Sequence, residues 1–245
     1  MQEKGISDKP PVFLSAEWRK LLMVNYPVDP ELLRPYLPPG TELDFFQGRC
    51  LVTVVGFLFL NTRIKGIPVP FHQHFEEVNL RFYVRREVNG EWRRGTVFIA
   101  EFVPMPMVAL LARMLYGEPY ATRKMRNSLS EKPDQLQAVY LWKTSRWNSV
   151  SIRSVNELRD VEAGSETEFL MEHYWGYNGK PGGITKEYGV EHPRWQVYPT
   201  LEFQADIDFS GCYGMAFSAL AHTAPDSAFL LEGSPVIIRD GRRLN

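Results

Sequence analysis

The segment that most constrains the fold is residues 75–103, in which two strand-like runs flank Asn89-Gly90. Asn-Gly between such runs is typical of a two-residue hairpin turn, because both central residues of that turn take a positive φ. The segment therefore predicts an antiparallel hairpin. Further strand-like runs, separated by Gly, Pro and Asn, are predicted at residues 17–26, 51–60, 135–155, 183–191, 193–209 and 226–239.

Four short segments predict helices from cap residues, prolines or apolar spacing. They are the segment from Asp29-Pro30 to just before Pro38, the amphipathic segment from Pro106 to Gly117, the helix that a capping box at 165–168 begins and that runs to about residue 173, and residues near 214–222. Residues 61–71 contain a glycine and two prolines and are expected to form a loop.

Strands outnumber helices, and the surest pairing is a hairpin, so the sheet is expected to be mainly antiparallel. Many strands in one domain hide their edges by closing into a barrel or by packing as a sandwich. No internal repeat or long linker divides the 245 residues. The sequence therefore predicts a single mainly β (α+β) domain over residues 1–245, with residues 1–12 as an extended or flexible tail.

Charge and apolar runs exclude several classes of protein. The chain has 28 Lys and Arg against 29 Asp and Glu, so it lacks the basic surplus that nucleic-acid binding needs. The longest apolar run, residues 51–60, is half of the about 20 residues that a membrane helix needs. The N-terminus lacks the apolar segment of a signal peptide, and Cys50 and Cys212 form no CxxC pair. We therefore expect a cytoplasmic protein with a small-molecule ligand and neither a nucleic-acid nor a membrane partner, and the oligomeric state is left open.

The predicted strand over residues 75–85 carries the most informative side chains. Because side chains alternate between the two faces of a strand, an apolar set separates from a polar set. The apolar face holds Val78, Leu80, Phe82 and Val84, and the polar face holds Glu77, Asn79, Arg81 and Tyr83. A solvated outer face and the lining of an interior cavity both agree with this alternation. In the second case a carboxylate, an amide and a guanidinium converge on a polar ligand.

His72-x-His74 favours a metal-dependent alternative. Alternate residues of an extended chain place two imidazoles on the same side, a geometry that suits a divalent metal, and Glu76 and Glu77 follow directly. Histidines at the end of a Pro-rich loop are also common as surface or structural groups, and no second histidine motif follows. The pair therefore remains an alternative metal site.

Aromatic residues are dense around two other histidines. His173 with Trp175, and His192 with Trp195, are candidates for the wall of a ligand pocket and for a proton donor. The alternative is that the aromatic rings seal the end of a barrel and that each histidine satisfies a backbone carbonyl. No GxSxG, Walker A, Rossmann glycine or HExxH motif occurs, so we expect no cofactor.

Several stretches, in unchanged order from about Phe13 to Leu244, resemble one known family. They are FLSAEWRKLLMVNYPVDPELLRPYLPPGTELD, VGFLFLNTRIKGIPVPFHQHFEEVNLRFYVRRE, RRGTVFIAEFVP, ARMLYGEPY, EHYWGYN, EYGVEHPRW and LEGSPVIIRDG. These stretches are similar to the uncharacterised YqjF-like bacterial proteins, which are grouped with the acetoacetate decarboxylase-like superfamily. The resemblance implies a mostly antiparallel β-barrel with an internal cavity and a few surrounding helices. It also places the polar face of the strand over residues 75–85 inside that cavity.

The resemblance implies two site residues and removes a third. In acetoacetate decarboxylases an arginine opens the strand before an Asp-started helix, and Arg19 matches that place. Glu77 matches the catalytic glutamate of those enzymes. The nucleophile has no match, because the decarboxylases carry two adjacent lysines directly after a proline, whereas Pro119 is followed by Tyr120 and Ala121. We therefore do not expect decarboxylation through a Schiff base.

Lys124 is the remaining candidate for a lysine nucleophile. In an extended chain Tyr120, Thr122 and Lys124 share one face, and Arg123 and Arg126 are cationic neighbours of Lys124. The alternative is a solvated cationic stretch.

Three functions stay open at this point. The first is a barrel that binds a carboxylate- or carbonyl-bearing molecule through Arg19 and Arg81, with Glu77 as general base or orienting group and Tyr120 as a hydrogen-bond donor. Proton transfer beside a carbonyl, as in lyases, hydratases and isomerases, suits these groups. The second is a non-catalytic metabolite-binding or sensing module on the same scaffold. The third is a metal-dependent enzyme that uses the His-x-His pair.

Overall fold

The computed structural model describes residues 9–244 except 69, 71, 116, 180 and 181. The strands are β1 (Val12–Val28), β2 (Glu42–Leu43), β3 (Cys50–Ile64), β4 (Ile67–Pro68), β5 (Phe75–Val88), β6 (Glu91–Val103), β7 (Tyr120–Thr122), β8 (Lys124–Glu131), β9 (Gln135–Lys143), β10 (Trp147–Val155), β11 (Arg159–Asp160), β12 (Trp175–Asn178), β13 (Thr185–Glu191), β14 (Gln196–Tyr198), β15 (Thr200–Asp206), β16 (Ser227–Arg239) and β17 (Arg242–Leu244). The helices are α1 (Pro106–Leu115), α2 (Glu166–Met171), α3 (Phe209–Tyr213) and three 3₁₀ helices, Pro30–Leu32, Arg34–Tyr36 and Met215–His222. The mainly β class predicted from the sequence is confirmed.

The hairpin at Asn89-Gly90 is confirmed. β5 and β6 pair antiparallel, and the last pair before the turn is Val88 with Glu91. Asn89 and Gly90 have φ values of 53° and 81°, the positive values that a two-residue hairpin turn requires. This turn therefore sets the register of the two strands that carry most of the polar residues described below.

Among the described residues, thirteen strands form one sheet, and the pairings within it return to their starting point. β16 pairs with β1, β1 with β3, β3 with β5 and β5 with β6, all antiparallel. β6 then pairs in parallel with β12, β12 pairs antiparallel with β13, and β13 pairs antiparallel with β16. Side chains from β1, β3, β5, β6 and β13 consequently line one common cavity.

The opposite face of the large sheet packs on a smaller sheet, whose strands lie in the order β15-β10-β9-β8. Val78, Leu80 and Phe82 of β5 have no exposed surface and share an apolar cluster with Tyr140 and Trp142 of β9. These are residues of the apolar face that alternation predicts for β5. Because this face is buried against the smaller sheet, the polar face of β5 points into the cavity.

Two helices also contact the cavity. α1 reaches it through Met107 and Val108, and α2 through Met171. α2 begins at the predicted N-cap, since the Glu168 amide donates to Ser165 Oγ at 3.2 Å. The predicted capping box is incomplete, because the Glu168 carboxylate accepts from the Gly164 amide at 2.6 Å and not from that of Ser165. Among the described residues, no helix has both the length and the apolar composition that a membrane crossing requires.

The segment predicted as a loop at 61–71 is partly strand. β3 continues to Ile64 and turns at Lys65-Gly66 into β4. Lys65 and Gly66 have φ values of 49° and 79°, so their backbone has the geometry of a second two-residue turn. Of the predicted tail over residues 1–12, residues 1–8 lie outside the described residues, and β1 begins at Val12.

Candidate functional site

The common cavity has a volume of about 150 Å³ and a mainly aromatic and aliphatic wall. Its aromatic residues include Trp18, Phe57, Phe59, Phe75, Phe98 and Trp195. Its polar residues include Glu77, Asn79, Arg81, Glu101, Glu118, Tyr120, His173, Tyr188 and His192. An apolar pocket with a few convergent polar groups is the usual composition of a small-molecule site.

β5 supplies three of the polar residues by simple alternation. Glu77 and Asn79 are 2% exposed and Arg81 is 9% exposed, and all three line the cavity. Their shared face follows from the pleat of the strand. The structure therefore places these three predicted site residues inside the cavity and not on a solvated outer face.

Glu77 is held by two hydrogen bonds within this cavity. Asn79 Nδ2 donates to Glu77 Oε1 at 2.9 Å, and the Tyr120 hydroxyl donates to Glu77 Oε2 at 2.9 Å. β7 brings Tyr120 beside β6, where it pairs with Glu101, and Glu101 pairs across β5–β6 with Asn79. Three neighbouring strands thus place an amide, two carboxyl groups and a phenol next to one another.

Three buried carboxyl groups share the cavity. Desolvation raises the pKa of Glu77 to about 7, although the hydrogen bonds from Asn79 and Tyr120 oppose the shift. Desolvation also raises the pKa of Glu118 to about 8, against a hydrogen bond from the Tyr188 hydroxyl at 2.8 Å. Burial and the nearby Glu118 and Glu77 carboxyls raise the pKa of Glu101 well above its usual range. At neutral pH the cavity therefore combines a partly ionised Glu77 with two mainly protonated carboxyl groups.

Arg81 is an arginine that lines the same cavity as these acids. The guanidinium forms no hydrogen bond or ion pair with any described residue, and its Nε is buried without a partner. The guanidinium carbon lies 5.6 Å from the centre of the Tyr83 ring. A buried arginine that lacks a carboxylate partner in the protein is unusual, because desolvating an unpaired charge is costly.

Arg81 is one of several cavity residues with a buried polar atom that has no hydrogen-bond partner among the described residues. These atoms are Trp18 Nε1, Thr62 Oγ1, Asn79 Oδ1, Arg81 Nε, Glu101 Oε2 and His173 Nδ1. Buried polar atoms in native proteins are normally hydrogen-bonded. Six such unpaired atoms therefore belong to residues of one cavity wall, where the protein itself covers them.

The two predicted pocket histidines, His173 and His192, both line the cavity and are neutral. Desolvation lowers the pKa of each to about 4. His173 Nε2 lies 3.2 Å from Asp44 Oδ2, so its hydrogen faces Asp44 and its Nδ1 is an acceptor. His192 stacks on Trp195 with ring centres 4.0 Å apart, and its Nδ1 lies 2.9 Å from the Pro193 carbonyl oxygen. Both rings are thus held in place by protein groups.

Arg19 is a correction to the sequence-based prediction. Its neighbour Trp18 lines the cavity, so alternation turns Arg19 to the other side of β1. There its guanidinium binds Glu17 at 2.6 Å and lies 3.5 Å from Glu232. A bulge follows at Lys20, which has a φ of 53° and also turns outward to Glu232. Arg19 therefore has ion-pair partners outside the cavity and is not a ligand-binding residue of this site.

Lys124 is a second residue for which the structure corrects the sequence-based prediction. The chain leaves β7 after Thr122 and enters β8 of the smaller sheet at Lys124, so Tyr120 and Lys124 do not belong to one continuous strand. Lys124 is exposed and is not part of the cavity wall, whereas Tyr120 is. The change of sheet at residue 123 therefore removes Lys124 as a nucleophile for this site.

Trp175 is a further predicted pocket residue that lies elsewhere. Its ring packs under the Arg93 guanidinium at 4.3 Å on another surface of the protein. The difference arises because Trp175 begins β12, in which alternation sends its side chain away from the cavity.

The His-x-His pair does not converge on one point. His72 lines the cavity and its Nδ1 contacts the Pro70 carbonyl oxygen at 2.7 Å. His74 is exposed and its Nδ1 lies 3.4 Å from the Asn61 amide. Within the part of the chain that the structure describes, no group of three or more His, Cys, Asp or Glu has a geometry that could hold a metal ion.

Glu101, Glu118 and Tyr188 are cavity residues that the sequence reasoning missed. Thr96 and Phe98 of β6 line the cavity. Strict alternation along β6 would place Glu101 on the opposite face, together with Val97 and Val103. The β5–β6 register shifts by one residue at Ile99, and this bulge returns Glu101 to the cavity face. A lone glutamate in the apolar run TVFIAEFV was the available signal.

Gly176 sets the position of Tyr188, because the two residues pair directly across β12–β13. A Cβ at Gly176 would lie 2.0 Å from Tyr188 Cζ. We expect Gly176→Ala to displace the Tyr188 ring from Glu118 and to lower the free energy of unfolding by about 1–3 kcal/mol. Gly189→Ala in the same hairpin is the control, since its Cβ would meet ordinary contacts at 3.7 Å or more. Urea denaturation checks both, and equal losses in the two variants would contradict the argument.

Comparison with known protein families and with curated proteins gives two matches. The model of the DUF2071 family, described as uncharacterized conserved protein, matches residues 15–235. The uncharacterized protein YqjF of Bacillus subtilis (strain 168) is 29% identical over 128 residues. That match covers 51% of this chain and 51% of YqjF, so it spans about half the length of the curated relative.

Two solved structures show the fold. Acetoacetate decarboxylase from Legionella pneumophila has a TM-score of 0.65 at 15% identity, over 100% of this chain and 92% of that chain. The enduracididine biosynthesis enzyme MppR, complexed with pyruvate, has a TM-score of 0.61 at 15% identity, over 99% of this chain and 93% of that chain. At such identities the likeness establishes a shared fold and not a shared reaction.

Proposed function

The chain belongs to the DUF2071 family and has the fold of acetoacetate decarboxylase and related enzymes; on that basis we propose that its cavity binds a small carboxylate- or carbonyl-bearing molecule and catalyses proton transfer next to that group. The observation that carries the proposal is the buried guanidinium of Arg81, which has no partner among the described residues and shares a cavity with three buried carboxyl groups. The strands whose pairing returns to its starting point surround this cavity with a mainly apolar wall.

Arg81 is the anchor for the ligand. A guanidinium presents a planar set of donors that matches a carboxylate, and the match is strongest where water is excluded. The charge of Arg81 lowers the pKa of Glu77, but no described side chain accepts a hydrogen bond from its guanidinium, and a carboxylate or enolate oxygen of the ligand would accept there. The same interaction strengthens as a carbonyl oxygen gains charge, which is the requirement for stabilising a transition state.

Glu77 is the base in this proposal. With a pKa near 7, a useful fraction is ionised at neutral pH and the conjugate acid is still a competent donor. Glu77 takes the proton from the carbon beside the carbonyl, the C–H bonding pair forms the new C=C bond, and the carbonyl π pair moves to the oxygen at Arg81. Return of the proton to a different atom, from Glu77 or from a protonated Glu101 or Glu118, completes an isomerase step. In a hydratase or lyase step the enolate electrons instead re-form the carbonyl and a C=C bond to the next carbon, and a hydroxyl on that carbon takes a proton from Glu101 or Glu118 and leaves as water.

A Schiff-base route is not part of the proposal. No lysine is among the described residues that line the cavity. Tyr120, directly after Pro119, donates its hydroxyl to Glu77. Burial and the carboxyls of Glu101 and Glu77 raise the pKa of Tyr120 well above its usual range, so it stays a hydrogen-bond donor and does not act as a phenolate nucleophile.

Ligand binding can be tested with two arginine variants in thermal-shift experiments with pyruvate and acetoacetate. For wild-type protein with a ligand at about 100 times its Kd, we expect stabilisation by about 2.7 kcal/mol, which raises Tm by roughly 5–10 °C in a domain of this size. Arg81→Met removes the anchor and should abolish the shift. Arg19→Met is the matched control and should keep it, because Arg19 is paired outside the cavity. Loss of the shift in Arg19→Met with retention in Arg81→Met would overturn the assignment.

A further inference from the structure

The cavity has an aromatic end that the proposed function does not use. Trp18, Phe57, Phe59 and Phe75 form this end and line the cavity. Trp18 pairs with Phe59 across β1–β3, and Phe59 pairs with Phe75 across β3–β5. The Phe59 and Phe75 rings stack with their centres 4.8 Å apart, and the Trp18 ring packs edge-on against Phe59 at 5.8 Å. Three neighbouring strands therefore build one aromatic surface.

The order of side chains along β5 places the aromatic end next to Glu77. The residues of β5 that line the cavity are, in sequence, Phe75, Glu77, Asn79 and Arg81. Two residues of an extended strand span about 7 Å, so Phe75 is a close neighbour of Glu77. Phe57 also pairs directly with Glu77 across β3–β5. Glu77 therefore has the aromatic end on one side and Arg81 on the other.

The exposed part of the cavity wall lies towards the aromatic end. Met107 of α1 is the one exposed residue among the described residues that line the cavity. α1 follows the end of β6, and Phe102 near that end pairs with Val78 near the start of β5. Arg81 lies further along β5 and is 9% exposed. A ligand that enters past α1 consequently has its polar head group deeper in the cavity than its tail.

An apolar surface in a cavity is in contact either with water or with a ligand, and contact with an apolar ligand is the more favourable. The carboxylate and carbonyl of the proposed ligand interact with the polar residues. A single methyl group, as in pyruvate, covers little of the aromatic end. Each further methylene group that is buried there tightens binding by about fourfold.

We infer that the ligand is an oxo acid with an aliphatic tail, whose head group binds at Arg81, whose reacting carbon lies at Glu77 and whose tail lies against the aromatic end. This inference rests on the proposed function, because the head group and the reacting carbon are those of that proposal. A cavity of about 150 Å³ holds a molecule about as large as benzene. The tail accordingly has about two or three carbons beyond the reacting carbon, and its end lies towards Met107.

A series of 2-oxo acids tests the tail. Titration calorimetry with pyruvate, 2-oxobutanoate, 2-oxopentanoate and 2-oxohexanoate measures Kd as the tail lengthens by one carbon at each step. We expect each added carbon to lower Kd by about three- to fourfold, and the heat capacity change of binding to become more negative along the series. The tail of 2-oxoglutarate has a similar length but ends in a carboxylate, so this acid should bind at least about tenfold more weakly than 2-oxohexanoate.

Phe75→Leu tests where the tail lies. This variant removes part of the aromatic surface, so the ratio of the Kd for pyruvate to the Kd for 2-oxohexanoate should fall by at least about threefold. Phe82→Leu is the matched control and should leave the ratio unchanged. Phe82 belongs to the same strand, is buried in the apolar cluster with the smaller sheet and is not among the described residues that line the cavity. Because the ratio compares two ligands on one protein, a general loss of stability does not alter it.

The failures of the inference and of the proposed function give different results. If Kd is constant along the series or lowest for pyruvate, and Arg81→Met abolishes binding, the tail site is wrong and the proposed function stands. If Arg81→Met leaves the Kd of every acid unchanged, the proposed function fails and the inference fails with it. Binding of none of these acids, or tighter binding of 2-oxoglutarate than of 2-oxohexanoate, also overturns the inference. The series measured on wild-type protein needs no variant, so it stays decisive if Phe75→Leu does not fold.

Discussion

Glu77→Gln is expected to slow exchange of the methyl protons of pyruvate for deuterium by about 10²–10⁴-fold, the usual contribution of a positioned general base. Glutamine keeps the size of the side chain and can still accept from Tyr120, but it has no basic oxygen of suitable pKa. Proton NMR in deuterated buffer measures the rate. Glu76→Gln, on the other side of the same strand, is the control and should exchange at the wild-type rate.

The pH profile of this exchange follows from the two raised pKa values. The rate should rise as Glu77 ionises, with a pKa of about 7, and fall as the protonated partner Glu118 ionises, with a pKa of about 8. A bell-shaped dependence of kcat/KM with a narrow maximum between these values is therefore expected. An unchanged rate in Glu77→Gln would remove Glu77 as the base. Binding of pyruvate without exchange above the buffer rate would indicate a non-catalytic binding module instead.

Glu118→Gln is expected to stabilise the protein at alkaline pH. Glu118 is protonated in the folded protein up to a pKa of about 8, whereas in the unfolded chain it ionises near 4.5. Between these values the folded state binds more protons than the unfolded state, so stability falls as pH rises and the loss is complete above the folded pKa. At about 1.4 kcal/mol for each pKa unit, the loss from this one group is on the order of 5 kcal/mol.

The variant removes that loss, because a glutamine has the same shape and no proton to lose. Near pH 9, Tm of Glu118→Gln should exceed that of wild-type protein by roughly 10 °C, and near pH 4 the two should agree. Thermal unfolding followed by circular dichroism over this pH range is the measurement. Glu91→Gln is the control, since Glu91 is exposed at the end of the β5–β6 hairpin. Parallel pH curves for wild type and Glu118→Gln would contradict the burial argument.

Both effects have the same physical origin. Carboxyl groups that are desolvated without full compensation cost folding free energy and acquire the pKa values that acid–base chemistry requires. Glu101 shows the cost most plainly, because its Oε2 is buried without a partner among the described residues. Such groups are candidates for ligand binding and acid–base chemistry.

The sequence predicted the local parts of the fold well. The Asn89-Gly90 turn, the N-cap at Ser165 and the shared face of Glu77, Asn79 and Arg81 are all present. Each depends on residues that are close along the chain, whose backbone preferences act before any tertiary contact forms. The resemblance to YqjF-like and acetoacetate decarboxylase-like proteins is confirmed as well.

Which residues reach the cavity was decided by features that are not local. The bulge at Ile99 brings Glu101 inward, and the change of sheet after Thr122 takes Lys124 outward. Arg19 is turned outward beside Trp18 and finds Glu232 on β16, which is more than two hundred residues away in sequence. Such bulges and partners depend on neighbouring strands, so alternation along a single strand contains no information about them.

By itself, then, the sequence determined which side chains of β5 lie together, because the direction of successive side chains is a property of the extended backbone. Whether that polar face lies on a solvated outer surface or lines an interior cavity was decided only in the tertiary structure. There the smaller sheet covers the apolar face of β5, and β13 pairs back to β16, so the polar face lines a cavity. Burial of this kind is a property of packed strands, and it is what turns three ordinary glutamates into candidates for acid–base chemistry.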